Sequence, residues 1–279
     1  MQINELVNKR LERLDSVPEK FLTSVDLEQR KQFKGTMKLL NELERDFSGN
    51  LLLSEINLAR IEAMTRELDS IIFSVEYRDA LVELAKEFNT QANINDQYFK
   101  KVFPKYENKE IYDKIMKNSQ AEAVALLDFG AISTEVIDPL KKIISESLGK
   151  SFDIMVVQVR DFLEGTEDYE GQLVRYTKTY VYDSFATSDA KYSETIANDL
   201  GINKFRYQGN IIKDSREFCI ERNDKIFTRE EITSWGSENY RGEGTTGPGQ
   251  WQGRNRETNE NNIFTYRGGY NCKHSFVAV

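Results

Sequence analysis

The first half of the chain carries apolar residues at helical spacing. Its prolines stand at 18, 104 and 139, so residues 19–103 contain none, and this stretch is rich in the helix-favouring Leu, Glu, Lys, Arg and Ala. Apolar residues recur there at helical spacing, at Ile56, Ala59, Ala63, Leu68, Ile71, Ile72, Val75, Leu81, Val82, Ala85 and Phe88. The pattern predicts helices at about 20–46 and 51–90, separated by Ser48-Gly49-Asn50, and a short leading helix at about 3–14 that stops before Pro18.

Residues 108–200 continue the helical pattern in pieces. Gly130 and Pro139 interrupt it, and Gly149 is placed to end the helix before it. The apolar run from 154 to 162 suits a buried helix or a strand, and periodicity alone does not separate the two. A long helix is predicted over 170–200, ending at Gly201, because apolar residues recur at steps of seven and four: Val174, Val181, Phe185, Tyr192 and Ile196.

The pattern changes after Gly201. Residues 204–207 and 225–227 are predicted as short strands, residues 215–223 as a helical turn capped by Asp214, and Thr228 opens a further helix through a capping box. Half of the 16 glycines lie in 236–269, and residues 275–279 form a closing strand. We therefore predict a mostly-α member of the α+β class. A long-helix domain would cover residues 1–165, and a small α+β module with short strands and a long Gly-rich loop at 236–269 would cover 166–279.

Composition narrows the class of protein. A chain of 279 residues with 39% hydrophobic and 30% charged residues is typical of a globular protein. No apolar run approaches the roughly 20 residues of a membrane helix, and the N-terminus has no export leader, so we expect no membrane partner and synthesis in a cytoplasm. The net charge of -8 divides equally between residues 1–150 and 151–279. It argues against broad nucleic-acid binding and leaves only a weak or local DNA contact.

Two motifs in the last third of the chain stand in a recognisable order. Asp214 and Arg216 form an Asp-x-Arg motif followed by Cys219, and residues 225–227 come next. The chain then closes on Gly269-Tyr270-Asn271-Cys272-Lys273-His274. Over residues 170–279 this order resembles the C-terminal module of the phage Mu F-like minor head (head morphogenesis) protein family. The chain departs from that family in Lys273, where Arg is usual, in lacking Pro-Pro before the closing motif, and in the long insert 235–266.

The resemblance implies a structural virion protein of a tailed bacteriophage. Such a minor head protein acts in head assembly near the portal or in DNA delivery. Its partners would be the portal and other phage head or neck proteins, and its location the virion head or neck after assembly in the host cytoplasm. A head–tail connector or neck protein is an alternative. An enzyme or toxin of ADP-ribosyltransferase or nuclease type is another, because Mu F-like modules also occur beside toxin domains. The resemblance also favours a helix for the run at 154–162.

The two motifs flank a glycine-rich segment of roughly fifty residues whose closure costs entropy. Three interpretations of Cys219, Cys272 and His274 remain open. They form a structural zinc site, with Asp214 or a backbone group as fourth ligand. Alternatively, the two cysteines form a disulfide once the particle leaves the reducing cytosol. In the third interpretation they are buried thiols beside a hydrogen-bonded histidine.

Sequence motifs for catalysis are missing. Residues 1–150 show no Arg, Ser-x-Ser and Glu-x-Glu set and no His-based nuclease motif, and the loop 242–249 lacks the Gly-Lys-Ser/Thr ending of a phosphate-binding loop. We interpret Asp214 and Arg216 as structural, and we expect no catalytic residues and no enzyme.

Two tryptophans accompany the Gly-rich loop: Trp235 comes directly before it and Trp251 lies inside it. We predict that both are exposed and serve as anchors at an interface.

Overall fold

The computed structural model describes residues 2–279. The chain is 63% helical and carries a small antiparallel sheet of three strands, which confirms the predicted mostly-α α+β class. No helix in the described part of the chain is both long enough and apolar enough to span a membrane.

The first helix, α1, spans Ile3–Leu40. The predicted stop before Pro18 is therefore wrong. A proline inside a helix removes one backbone hydrogen bond, but Leu14, Val17 and Phe21 on either side of it are buried and hold both halves of the helix in place. The breaker at 48–50 does fall between helices, since the next one begins at Glu55.

The predicted helix over 51–90 is two helices, α2 at Glu55–Ile72 and α3 at Val75–Val102. Phe73 leaves the helical region with φ -94° and ψ 59°. The Ser74 hydroxyl then accepts a hydrogen bond from the Tyr77 N–H at 3.1 Å, as a helix N-cap does. The apolar periodicity continues across this junction, so the pattern by itself did not reveal the break.

A series of shorter, amphipathic helices follows. They are α4 (Glu110–Ala125), α5 (Phe129–Ile132), a π-helical turn (Ser133–Ile137), α6 (Asp138–Glu146) and α7 (Phe152–Glu164). The apolar run at 154–162 lies in α7 and is helical. The long helix α8 spans Gln172–Asp199, close to the predicted 170–200.

The remaining elements are short. Strand β1 (Lys204–Gly209) is followed by α9 (Glu217–Ile220), β2 (Ile226–Thr228), α10 (Arg229–Trp235), α11 (Ile263–Tyr266) and β3 (His274–Ala278). The predicted capping box is present, because the Thr228 hydroxyl accepts from the Glu231 N–H and the Glu231 carboxylate accepts from the Thr228 N–H. The sheet order is β2-β1-β3, with Tyr207 opposite Phe276 and Gly209 opposite His274.

The chain forms two compact units, and neither is a continuous segment. One comprises Met1–Pro18, Ala85–Ala123 and Val181–Val279, and the other comprises Glu19–Leu84 and Val124–Tyr180. This division differs from the predicted boundary between residues 165 and 166. The unit boundaries fall inside α1, α3, α4 and α8, where no glycine, proline or change in composition marks them in the sequence, Pro18 excepted.

A buried polar network lies inside the first unit. The Arg10 guanidinium donates to both carboxylate oxygens of Asp189 at 2.8–3.1 Å, and both side chains are almost fully buried. Gln91 and Asn95 donate to the same carboxylate at 2.9 and 2.8 Å, and Ser275 accepts from Arg10 at 2.9 Å. The network joins α1, α3, α8 and β3, so the C-terminal strand is tied to residues from the N-terminal half.

Candidate metal centre

Cys219, Cys272 and His274 come together in the first unit. Cys219 lies in α9, Cys272 lies in the turn before β3, and His274 is the first residue of β3. Their ligand atoms all lie within 4.8 Å of one another, and each residue is at most 4% exposed. The two motifs predicted to flank the Gly-rich segment therefore meet at its base, and together these side chains could hold a metal ion.

Tyr207 packs against this cluster, and no pattern in the sequence points to it. Its hydroxyl lies 3.4 Å from the Cys219 sulfur and 3.3 Å from the Cys272 sulfur. Its ring stacks on the His274 imidazole, with centroids 4.9 Å apart and planes at 10°. The alternation of residues 204–207 does place Phe205 and Tyr207 on one strand face, but only the pairing of β1 with β3 brings that face to His274.

The two thiols differ in acidity. A hydrogen bond with Cys219 lowers the pKa of Cys272 well below its usual range; burial opposes this, and His274 and the Arg267 charge lower it further. The same hydrogen bond, together with burial, raises the pKa of Cys219. The pair therefore favours a thiolate on Cys272 with the Cys219 thiol as its donor. Burial raises the pKa of Tyr207 as well, so its hydroxyl remains a proton donor beside the two sulfurs.

His274 carries a buried nitrogen without a partner. The residue is 2% exposed, and its Nε2 forms no hydrogen bond with any of residues 2–279. Its ring is held by the stack on Tyr207 and by Gly209 on the neighbouring strand, where an added Cβ would lie 2.8 Å from the His274 Cγ. Desolvating such a nitrogen without a partner costs about 1–3 kcal/mol, which a bound ligand or metal ion would offset.

The closing turn is built from residues 268–271. Gly269 adopts φ +105° and Asn271 φ +53°, in the region that favours glycine and tolerates asparagine. The Asn271 N–H donates to the Asp183 carboxylate at 2.7 Å, and the Tyr270 N–H donates to the Gly253 carbonyl at 2.9 Å. The Tyr270 side chain is exposed. Gly269 and Asn271 therefore shape the turn, while Cys272 and His274 point into the cluster.

Asp214 and Arg216 do not join the cluster. The predicted helix cap at Asp214 is wrong, because α9 begins at Glu217 with Arg216 as its N-cap residue and without a side-chain capping bond. Asp214 is exposed. The Arg216 guanidinium donates to the Tyr270 carbonyl and lies against Gly253, which agrees with its structural interpretation. Both residues line a cavity of about 360 Å³ that the three cluster residues also line.

Trp235 and Trp251 are buried, so the prediction that they are exposed anchors is wrong. They are 4% and 5% exposed. Trp251 stacks on Phe218 at 4.2 Å, and its indole N–H donates to the Gly268 carbonyl at 2.9 Å. The glycines of 236–269 allow this packing. At Gly244, for example, an added Cβ would lie 2.3 Å from the backbone nitrogen of Phe218. The segment thus buries its own Trp251 instead of presenting it to solvent.

The two sulfurs are free and 3.9 Å apart. A disulfide has an S–S length of about 2.05 Å, so the described chain corresponds to the thiol or the metal-bound interpretation.

Replacing Gly268 by alanine is expected to destabilise the chain by about 1–3 kcal/mol through overpacking. The new Cβ would lie 2.4 Å from the Cys219 sulfur and 2.9 Å from the Cys272 sulfur. Gly247→Ala is the matched control, because nothing lies closer than 3.8 Å to a Cβ there. Urea unfolding of both variants measures the difference. Equal midpoints would mean that Gly268 is not packed against the sulfurs.

No protein-family model matches the chain, and no curated protein or solved structure is similar to it at a significant level.

Proposed function

We propose that this chain is a structural virion protein of a tailed bacteriophage, a minor head protein that acts in head assembly near the portal or in DNA delivery. One observation carries the proposal. The Asp-x-Arg motif with Cys219 and the closing motif lie roughly fifty residues apart, yet Cys219, Cys272 and His274 form one buried cluster, and the Arg216 guanidinium donates to the Tyr270 carbonyl. This convergence is what two signature motifs of a single folded module require, and it supports the resemblance to Mu F-like proteins.

A non-enzymatic role is also part of the proposal. Cys272 carries the more acidic of the two thiols, but the residue is only 4% exposed. Its sulfur is surrounded by Cys219, Tyr207 and His274. A nucleophile has to reach its substrate, whereas a buried cluster that joins α9 to β3 fits a fastening role. The chain contains one histidine in all, and its ring belongs to this cluster.

Contact with portal, head or neck proteins is supported by apolar side chains on the second unit. Phe47 is fully exposed, Leu53 is 75% exposed, and Ile154 and Val157 lie one turn apart on α7 with about half of their surface exposed. Amphipathic helices commonly dock onto helical partners through such side chains. The net charge of -8 keeps any DNA contact weak or local.

The proposal is tested with particles produced by cells that carry the gene. Density-purified virions and isolated portal complexes are analysed by quantitative mass spectrometry, with the major capsid protein as the reference for copy number. We expect a low copy number in virions and enrichment in the fraction that contains the portal. Recovery of the chain only from the cell lysate would overturn the proposal, and recovery only with tail fractions would favour the neck alternative.

The enzymatic alternative has its own assay. The purified chain is incubated with labelled NAD and host proteins, and separately with duplex DNA and divalent cations. We expect neither transfer of label nor cleavage of DNA. Either activity would contradict the non-enzymatic role if substitution of a single residue of the chain abolished it.

A further inference from the structure

We propose that Cys219, Cys272 and His274 bind one Zn²⁺ ion through two thiolates and one imidazole, with a water ligand on the side of the adjacent cavity. This inference does not depend on the phage function, because it rests on the cluster alone.

The spacing of the sulfurs fits the ion. Two thiolates on a tetrahedral zinc, each at about 2.3 Å from the metal, lie about 3.8 Å apart. The Cys219 and Cys272 sulfurs are 3.9 Å apart, and the His274 ligand atom lies within 4.8 Å of both. A small inward movement of the imidazole completes three corners of a tetrahedron without any change in the position of the two cysteines.

The chemistry of the donors also fits. Two cysteine sulfurs and one histidine nitrogen are soft and borderline ligands that zinc binds in proteins, with water as the fourth ligand where only three come from the chain. Calcium and magnesium take oxygen ligands instead. The unpartnered Nε2 of His274 gains a partner if it is the ligating atom.

Tyr207 serves as an outer-shell donor to the metal-bound sulfurs. Its hydroxyl lies 3.4 Å from the Cys219 sulfur and 3.3 Å from the Cys272 sulfur. Its ring fixes the plane of the His274 imidazole by stacking. Such partners orient ligands, and their loss typically lowers metal affinity by about 10–100-fold.

The fourth ligand comes from the cavity side. The cavity of about 360 Å³ is lined by all three ligand residues and by Asp214 and Ser215. Asp214 is exposed and is not among the ligand atoms that cluster within 4.8 Å. A water molecule is therefore the proposed fourth ligand, and the Asp214 carboxylate would lie beyond it.

The test uses the full chain, purified under reducing conditions without chelator, and measures bound metals by mass spectrometry. We expect one zinc per chain, and two thiols that become reactive to a thiol reagent only after a strong chelator is added. Replacement of zinc by Co²⁺ should give thiolate-to-metal charge-transfer absorption and the visible bands of a tetrahedral ion.

Variants assign the ligands. Cys272→Ser and His274→Asn should each retain less than about a tenth of the metal of the unsubstituted chain, because each removes one of the three protein ligands. Tyr207→Phe should keep one zinc with about 10–100-fold weaker affinity, and Asp214→Asn should keep it with unchanged affinity. Tyr270→Ala is the matched control, because that exposed side chain belongs to the same turn and lies outside the cluster. It should bind zinc like the unsubstituted chain.

Several outcomes would overturn the proposal. A folded, reduced chain that holds no zinc and gives no tetrahedral cobalt spectrum would do so, and so would full zinc occupancy in a folded Cys272→Ser chain. Copper or iron in place of zinc would refute the choice of metal. If Cys272→Ser does not fold, the zinc content and cobalt spectrum of the unsubstituted chain still decide.

Discussion

Replacement of Asp189 by alanine is expected to destabilise the folded chain by about 3–5 kcal/mol, because it leaves the Arg10 guanidinium buried without its carboxylate. The Arg10 and Asp189 side chains are 2% and 0% exposed and bonded at 2.8 Å. Gln91 and Asn95 would lose their acceptor as well. Urea unfolding followed by circular dichroism measures the loss of stability.

Two further chains make this measurement specific. Glu146→Ala removes an exposed ion pair with Lys142 and should change stability by less than about 1 kcal/mol. The double variant Arg10→Met with Asp189→Leu should recover part of the loss, because no unpaired charge remains buried. If Asp189→Ala unfolds at the same urea concentration as Glu146→Ala, the network does not stabilise the fold.

The same carboxylate predicts the direction of the pH dependence. Burial by itself would raise the pKa of Asp189, but the Arg10 charge and the hydrogen bonds from Arg10, Asn95 and Gln91 together lower it below 3.8. A lowered pKa in the folded state contributes stability that is fully present above the unfolded value and is lost as the pH falls through the folded value. The unsubstituted chain should therefore lose stability below about pH 4 more steeply than Asp189→Asn does.

Trp235→Ala should also cost about 3–5 kcal/mol, as large aromatic-to-alanine changes in cores do. The Trp235 ring packs edge-on against Phe227 at 4.8 Å and against Phe218 at 5.7 Å, and the Arg222 guanidinium lies over it at 4.8 Å. Urea unfolding again supplies the measurement.

Tyr270→Ala is the matched control for Trp235→Ala, because it removes an exposed aromatic ring from the same unit. It should change stability by less than about 0.5 kcal/mol. A Trp235→Ala chain that is as stable as this control would revive the interpretation of Trp235 as a surface anchor.

The helices were predictable from the sequence to the extent that their periodicity is local. The spacing of seven and four located α8 within two residues at its start and one at its end, and the Thr228 capping box marked the start of α10. Local patterns failed where burial compensates a local penalty. Pro18 lies inside α1 because buried neighbours hold the helix together, and the junction at Phe73 interrupts an apolar stripe without changing its period.

The candidate site was predicted in part. Cys219, Cys272 and His274 were singled out by residue type and by their places in two motifs, and the structure brings them together. Tyr207 and Gly268 were missed because tyrosine and glycine carry no metal-ligand signal. The pairing of β1 with β3 brings Tyr207 to the sulfurs. Position 268 has to be glycine because a Cβ there would collide with both sulfurs.

By itself, the sequence determined the mostly-α class, the position of most helices and the identity of the three residues that form the cluster. These follow from periodicity, capping residues and side-chain chemistry, which act over a few positions along the chain. The tertiary structure alone decided that Trp235 and Trp251 are buried, that Asp214 stands outside the cluster, and that residues 181–279 form one unit with residues 1–18 and 85–123. Such features depend on contacts between residues far apart in the chain, for example Arg10 with Asp189 across 179 positions. Burial of apolar surface and of paired charges selects those contacts, and no local pattern encodes which partner is selected.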